Sequence, residues 1–279
     1  MTFSIVAADP DANEVGVAVQ SKFLACAALV SWARGGVGAI ATQAFAEVTF
    51  GPRGLDLLEQ GLEPAEVIGR LTGDDGLRAQ RQVGIVDAEG RSASYTGAEC
   101  FEHAASVTGS CFACQGNILA GERVVPAMAE AFEAAKGAPL AERMVESLRA
   151  AQREGGDRRG QEAGGLYVAR PGGGYGGNHD RYVDLRVDHH DQPIEELARL
   201  LDLHHLYFQR SDPSELIEAD DRLQAEIGLH LERVGKRRDD LWKDLQEYME
   251  WENLEERWAG PGRIDPRVLD YLRRHAETG

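Results

Sequence analysis

The first residues of the chain alternate in the manner of a β-strand, with Phe3, Ile5 and Ala7 on one side and Ser4 and Val6 on the other. Turn-forming residues then separate this strand from a second apolar run, so the chain begins with a predicted hairpin. Two further short apolar runs precede the first helical pattern. The predicted strands of this opening block lie at residues 2–8, 15–19, 30–34 and 37–42.

After this block, stretches with helical spacing of apolar residues alternate with further strands. Helices are predicted at 54–60, 64–71, 124–136, 139–153 and 194–205, and strands at 82–87, 91–96, 110–115, 165–170 and 182–187. This order predicts an α+β domain in which two antiparallel sheets pack face to face with helices on both outer sides, a four-layer α-β-β-α sandwich. The pattern alone does not distinguish that sandwich from an ordinary α+β domain.

From about residue 207 the pattern is helical throughout. A helix is predicted to begin at Asp212 and to end at Gly235, and a second helix follows from 239 to about 248. We therefore expect two domains, a sandwich over residues 1–205 and a small all-α domain over residues 206–279.

Composition narrows the classes of function. The chain has 279 residues, 43% of them hydrophobic, which is enough for a full core and a second, smaller domain. Its net charge of −17 argues against binding to nucleic acid or anionic membranes, because phosphate contacts need clustered Lys and Arg. No secretory leader or membrane-spanning apolar run is recognised, so a cytoplasmic location is expected. The four cysteines are expected to be reduced, and neither a metal nor another cofactor is predicted.

Thr2 carries the candidate chemistry of the opening strand. Removal of an initiator Met that precedes a small residue would leave Thr2 with both a hydroxyl and a free α-amine. An α-amine has an ordinary pKa of roughly 7.7–8.0, so near pH 7 part of it is neutral and accepts the hydroxyl proton without a separate His. Thr2 is therefore a candidate nucleophile, and the alternative is that it merely begins an edge strand.

A set of short motifs, individually unspecific, covers most of the chain from Thr2 to about His205. The motifs are Thr2-Phe3-Ser4-Ile5-Val6-Ala7, Gly16-Val17-Ala18-Val19-Gln20-Ser21-Lys22, Gly36-Val37-Gly38-Ala39, Ala41-Thr42-Gln43, Arg81-Gln82-Val83-Gly84, Cys114-Gln115-Gly116-Asn117, Gly155-Gly156-Asp157-Arg158-Arg159-Gly160 and Asp184-Leu185-Arg186-Val187-Asp188. Together they resemble a widespread bacterial family of unknown function placed among the N-terminal-nucleophile hydrolases. The resemblance implies that Thr2 attacks an amide carbonyl of a small or peptide-like substrate.

The resemblance also suggests partners for Thr2. Asp157, in its glycine-rich loop, is similar to the buried acid near the nucleophile's amine in proteasome-like enzymes, and the alternative for it is a surface ion pair with a neighbouring arginine. Amide or backbone donors from Gln115 and Asn117, or from the region of Gln43, would complete an oxyanion site. Gln115 and Asn117 are also compatible with a role in satisfying a turn.

Two positions depart from the pattern of proteasome-like enzymes. Those enzymes place an Asp at the end of the second strand and a Lys on the third, whereas this chain offers Gln20-Ser21-Lys22 and Arg34. Arg34 would stabilise charge and lower the pKa of the amine, but it would not accept a proton. Lys22 is the alternative cation, and a structural ion pair is the alternative role for Arg34.

The segments 251–258 and 264–273 resemble a peptidoglycan-binding domain that is found appended to this family. The resemblance implies a cell-wall fragment as a partner, and the alternative is an interaction or dimerisation module, with a homo-oligomer expected. For the whole chain, the alternatives to an amidohydrolase are a non-catalytic ligand-binding or assembly scaffold and a cell-wall-associated binding protein.

Overall fold

The computed structural model describes residues 2–278, and Met1, whose removal is expected above, lies outside them. The chain divides into two compact units between Leu200 and Leu201, whereas the sequence placed the boundary between residues 205 and 206. Both positions fall inside one helix. The first unit is a mixed α+β structure and the second is mostly helical. Within the described residues, no helix combines the length and the apolar character that a membrane span requires.

From residue 2 onward, the first unit contains ten strands and the helices that flank them. In chain order these are β1 (Thr2–Asp9), β2 (Glu14–Ser21), α1 (Ala27–Val30), β3 (Ser31–Arg34), β4 (Gly38–Ala44), α2 (Phe50–Glu59), α3 (Pro64–Gly73), β5 (Arg81–Asp87), β6 (Ser92–Thr96), β7 (Ala105–Gly109), β8 (Phe112–Asn117), α4 (Val124–Ala134), α5 (Leu140–Arg153), β9 (Ala163–Ala169), β10 (Arg181–Val187) and α6 (Pro193–Phe208), of which α6 spans the division. Two of these elements, α1 and β7, were not predicted from the sequence.

The ten strands form two antiparallel sheets. Six of them are ordered β10-β9-β2-β1-β8-β7, and the other four are ordered β3-β4-β5-β6. The first strand of the chain is thus central in the larger sheet, where Phe3 lies opposite Gln20 of β2 and Gly116 of β8. The start of β1 is therefore held on both sides by neighbouring backbone.

Alternate side chains of β1 face different partners. Ser4, Val6 and Ala8 point toward the four-stranded sheet, where small apolar residues of both sheets form a common buried cluster. On its other face, the six-stranded sheet contacts α4 and α5. Helices α2 and α3 cover the outer face of the four-stranded sheet through a cluster that includes Ile40 and Leu55. Alternation along each strand thus decides which residues lie between the sheets.

The second unit is built around its own apolar core. Its elements beyond α6 are β11 (Ile217–Glu218), α7 (Asp221–Arg233), α8 (Leu241–Trp251), β12 (Arg263–Ile264) and α9 (Pro266–Thr278). Buried residues such as Ile227, Leu245 and Leu269 pack together, beside a buried ion pair between Arg257 and Asp265 at 2.7 Å.

Two sequence expectations for the second unit are wrong. The helix expected to begin at Asp212 begins at Asp221, because the carboxylate of Asp220 accepts the backbone N–H of Leu223 and caps the helix there. Asp212 instead bonds to Ser214 in a turn. The unit is also not entirely helical, since β11 and β12 pair as a short antiparallel ribbon.

Candidate functional site

Thr2 begins the central strand of the larger sheet and is buried. Its hydroxyl Oγ1 donates a hydrogen bond to Oγ of Ser21, at the end of β2, over 3.1 Å. Its carbonyl oxygen accepts a longer bond from Nε2 of Gln43 at 3.4 Å. In the register of the sheet, Thr2 lies opposite Asn117. The hydroxyl of Thr2 is therefore held inside the protein at the first residue of β1.

Buried neutral side chains from four strands meet behind Thr2, and we call them the amide cluster: Ser4, Gln43, Gln82, Gln115 and Asn117. Nε2 of Gln115 donates to Ser4 Oγ at 2.7 Å, and Ser4 Oγ donates to Oε1 of Gln43 at 2.7 Å. Nε2 of Gln43 and Nδ2 of Asn117 both donate to Oε1 of Gln82, at 2.8 and 2.9 Å. The cluster thus joins the two sheets by hydrogen bonds.

Burial of these amides would cost free energy if they were left unpaired, and the network offsets most of that cost. Nε2 of Gln82 also donates to the carbonyl oxygen of Gly116 at 2.9 Å, which ties the cluster to the strand beside Thr2. One acceptor is left over: Oε1 of Gln115 is buried and has no hydrogen-bond partner among the described residues. The space between the sheets is thus apolar toward Ala8 and polar toward Thr2.

Asp157 follows α5 in a loop where two consecutive glycines have positive φ, Gly155 at 98° and Gly156 at 54°. Its side chain is 0% exposed. Oδ2 accepts the backbone N–H of Lys22 at 2.9 Å, and Oδ1 accepts that of Arg159 at 2.9 Å. The guanidinium of Arg159 also donates to both carboxylate oxygens, at 3.3 and 3.2 Å. Asp157 is therefore a buried acceptor, and it holds the residue that follows Ser21.

The ammonium group of Lys22 has different partners from the backbone N–H of the same residue. Nζ contacts Oε2 of Glu162 at 2.8 Å and the carbonyl of Gln161 at 3.0 Å. Hydrogen bonds from Lys22 and then from His189 hold the pKa of Glu162 below its usual value. The structure thus brings the backbone of Lys22 to Asp157 and pairs its charge with Glu162.

Arg34 is not brought to the amide cluster. It lies opposite Gly38 in the β3–β4 pair, and Gly38 precedes Gln43 by five residues, roughly 17 Å of strand. Its guanidinium contacts Asp56 at 2.9 Å and Glu59 at 2.7 Å, both on α2. Arg34 therefore forms ion pairs with two carboxylates of α2 at the end of its strand.

Sequence reasoning did not select Ser4, Ser21 or Gln82, although each lies in one of the motifs quoted above. Their signal is positional. A polar residue that alternates onto the inner face of a buried strand must find a hydrogen bond, so several such residues at one end of the sheets indicate a polar site.

Metal-ligating side chains are not gathered at this site. Within residues 2–278, no group of three or more His, Cys, Asp or Glu side chains is placed to hold a metal ion. The four cysteines are free thiols, and Cys26 and Cys114 are buried. The arrangement around Thr2 is one of hydrogen-bond donors and acceptors.

The comparisons with known proteins agree with a mixed α+β protein with antiparallel sheets. The crystal structure of protein SPO2555 from Silicibacter pomeroyi superposes with a TM-score of 0.65 at 30% sequence identity, over 73% of this chain and 89% of that chain. Residues 2–197 match the family of unknown function DUF1028, to which SPO2555 is also assigned, and this chain belongs to that family. Residues 207–272 match a second model, described as "putative peptidoglycan binding domain". A search of curated proteins finds no match.

Proposed function

We propose that this protein is an N-terminal-nucleophile hydrolase in which Thr2 cleaves an amide bond of a small or peptide-like substrate. The observation that carries the proposal is the hydroxyl of Thr2, anchored on Ser21 at the start of a central strand and backed by buried amides. The facing sheets, with α2 and α3 on one outer side and α4 and α5 on the other, support a four-layer α-β-β-α sandwich of that class.

The proposed reaction uses one residue as nucleophile and base. Once Met1 is removed, the α-amine of Thr2 takes the hydroxyl proton as Oγ1 bonds to the carbonyl carbon of the substrate. The C–N bond then breaks, and the departing amine takes that proton. A water molecule, deprotonated by the same α-amine, breaks the resulting ester and releases the acid, and the proton returns to Oγ1.

Neighbouring groups would stabilise the oxyanion and fix the nucleophile. Asn117 lies opposite Thr2, and one N–H of its amide is committed to Gln82, which leaves the second N–H as the candidate oxyanion donor. A donor of this kind lowers the activation barrier by about 3–4 kcal/mol. Asp157 is a positioning residue in this scheme, because it acts through the backbone of Lys22 on the strand end that carries Ser21. Arg34 has no part in it.

The test compares the wild type with Thr2→Ala and Thr2→Ser on a panel of amide, ureide and peptide substrates. Thr2→Ala is expected to abolish turnover, whereas Thr2→Ser keeps a hydroxyl and an α-amine and retains measurable activity. Intact-mass measurement of the same preparations establishes whether Met1 is absent. Active protein that retains Met1, or a fully active Thr2→Ala variant, contradicts the proposal. No turnover of any substrate by wild type that has lost Met1 favours the non-catalytic scaffold.

A second function is favoured by the match of residues 207–272 to a peptidoglycan-binding model. We propose that the second unit binds a peptidoglycan fragment, which favours contact with cell-wall material over the cytoplasmic location expected from the sequence. Trp251 is 71% exposed, and Nζ of Lys236 lies 4.0 Å from the centroid of its ring. An exposed aromatic face next to a cation suits a sugar ring that carries a carboxylate.

Co-sedimentation with purified peptidoglycan tests this binding. Trp251→Ala is expected to lower the bound fraction, and Leu229→Ala, another exposed apolar residue of the same unit, serves as the control. Binding that is equal in the two variants would remove Trp251 from the site, and no binding by the wild type would contradict the assignment.

A further inference from the structure

A groove with a volume of about 910 Å³ lies at the end of β1 that is remote from Thr2. The turn between β1 and β2, the turn between β7 and β8, and the connection from α4 to α5 line it. Asp9, at this end of β1, is seven residues from Thr2, roughly 23 Å along the strand. Nothing in the amidohydrolase proposal uses this groove.

Arg143 of α5 is the unusual residue of the groove. Its Cζ lies 3.9 Å from the ring centroid of Phe132, and that ring is itself buried and packs on Phe112 with the centroids 5.1 Å apart. The guanidinium donates one long hydrogen bond, from Nη2 to the carbonyl of Phe132 at 3.4 Å. Its Nε is buried without a hydrogen-bond partner among the described residues. One flat face is thus covered by an aromatic ring while the N–H edges are poorly satisfied.

The other buried or half-buried arginines of the described chain are all paired. Each has a carboxylate oxygen within 3.0 Å, and they are Arg34, Arg81, Arg149, Arg170, Arg237, Arg257 and Arg273. Within residues 2–278, no carboxylate oxygen lies within 4.0 Å of the guanidinium nitrogens of Arg143. The chain contains 47 acidic residues against 30 basic ones, so a shortage of carboxylates does not explain this.

Carboxylates do line the groove at longer range. Asp9, Asp11 and Glu133 are among its lining residues. Burial lowers the pKa of the Arg143 guanidinium, and the negative charge of Asp9 partly opposes that effect. The same lining holds two cations, Lys136 and Arg143, so the three acids outnumber them and a phosphate dianion would meet net repulsion. An ammonium group would meet attraction from the same acids while a carboxylate bonds to the guanidinium edge. The alanines and phenylalanines of the lining leave room for an apolar group.

We propose that this groove binds a small zwitterion, an α-amino acid with an apolar side chain. Its carboxylate lies on the guanidinium edge of Arg143, and its ammonium faces Asp9 and Glu133. The carboxylate of the ligand accepts from the Nη1 and Nη2 groups, for which the described residues supply one long hydrogen bond, to the carbonyl of Phe132.

Isothermal titration calorimetry with three probes tests the ligand class: L-leucine, L-leucinamide, which lacks the carboxylate, and 4-methylpentanoate, which lacks the ammonium. L-leucine is expected to bind at least about tenfold more tightly than either of the other two, because charge-assisted hydrogen bonds are lost in each. No heat from L-leucine at millimolar concentration, or equal affinity for all three probes, would overturn the proposal.

Variants of the full chain test the residue. Arg143→Gln is expected to weaken L-leucine binding at least about tenfold, and Arg143→Lys, which keeps the charge without the planar fork, by less. Arg149→Gln is the control, because Arg149 is also a half-buried arginine of α5 but pairs with Glu195 outside the groove. Circular dichroism establishes whether each variant is folded. If Arg143→Gln does not fold, Arg143→Lys carries the test. Unchanged binding in the folded Arg143 variants contradicts the assignment.

Discussion

A Cβ atom on Gly84 of β5 would overlap with Oε1 of Gln115 of β8, so the Gln115 amide occupies the space of a missing side chain on the facing sheet. The two residues belong to different sheets, so the absence of a side chain at Gly84 makes room for the amide cluster between the sheets. Gly84 pairs with Ala41 and Ser94 in its own sheet, and its neighbour Gln82 carries the acceptor of the cluster.

Gly84→Ala is expected to destabilise the protein by about 1–3 kcal/mol, because the new methyl group must displace a buried, hydrogen-bonded side chain. The free energy of unfolding from urea denaturation measures this. Gly69→Ala is the matched control, since Gly69 lies in α3 with nothing within 4 Å of the new Cβ. There, alanine is expected to stabilise the helix by up to about 1 kcal/mol. Equal stability of the two variants would show that the amide of Gln115 is free to move aside.

Asp157→Asn should impair both the site and, more modestly, the fold. In the wild type, the two carboxylate oxygens of Asp157 accept the backbone N–H groups of Lys22 and Arg159. The asparagine side chain keeps one acceptor oxygen, but its NH₂ group would face the other N–H donor. We expect a loss of about 1–3 kcal/mol in unfolding free energy.

Turnover is the discriminating measurement for Asp157 once an amide substrate has been found. It should fall by well over twofold in Asp157→Asn, whereas Arg158→Gln, at an exposed position in the same loop, should leave it unchanged. Turnover within about twofold of the wild type, roughly 0.4 kcal/mol in the barrier, would remove Asp157 from the mechanism.

Acidification should weaken the second unit through Asp265. Burial alone would raise the pKa of this carboxyl, but bonds from Ser211, Arg257 and the backbone of Arg267 outweigh it, so the pKa lies below its usual 3.8. The unfolded chain then binds the proton first, and the stability that the pair contributes is present above about pH 4 and lost as pH falls through the folded-state pKa.

Hydrogen exchange in α9 between about pH 5 and pH 3 follows that loss, after correction for the intrinsic pH dependence of exchange. Asp265→Asn should be less stable by about 3–5 kcal/mol at neutral pH, since it leaves the buried Arg257 without its carboxylate, and its residual stability should depend less on pH. Asp270→Asn, which removes an exposed carboxylate of α9, is the control. A wild type and Asp265→Asn with the same slope against pH would contradict the assignment.

Truncation after Leu206 should leave a soluble first unit that melts cooperatively, because every strand of both large sheets precedes that residue. The second unit has its own core of buried residues from α7, α8 and α9. Differential scanning calorimetry of the truncated and full chains measures the transitions. A truncated chain that precipitates, or melts without a transition, would show that the second unit completes the fold of the first.

Alternating apolar positions predicted most strands and helices because their periodicity is local. The strand β7 escaped because its residues are mostly half-exposed and Ala105–Gly109 offers little contrast between faces. The start of α7 was misplaced because only the fold decides which N–H groups an Asp carboxylate meets: Asp212 bonds within a turn, and Asp220 caps the helix.

The candidate site was predictable only in part. Thr2, Gln43, Gln115 and Asn117 lie together because each is at the same end of its strand. Their grouping follows from strand register, and the sequence suggested it only through the family resemblance. The placement of Arg34 depends on the length of β4, which carries it to the far end of the sheets. Such long-range distances are not encoded in local pattern.

The neutrality of the amide cluster has a consequence for kinetics. Amide and hydroxyl side chains keep the same protonation state across the whole range in which enzymes are assayed. The wall behind Thr2 would therefore act as a constant background, and a rate profile against pH would carry the ionisation of the nucleophile's own α-amine with little distortion from that wall. An inflection of such a curve near the ordinary pKa of an α-amine, roughly 7.7–8.0, would then report the titration of the chain's amino terminus.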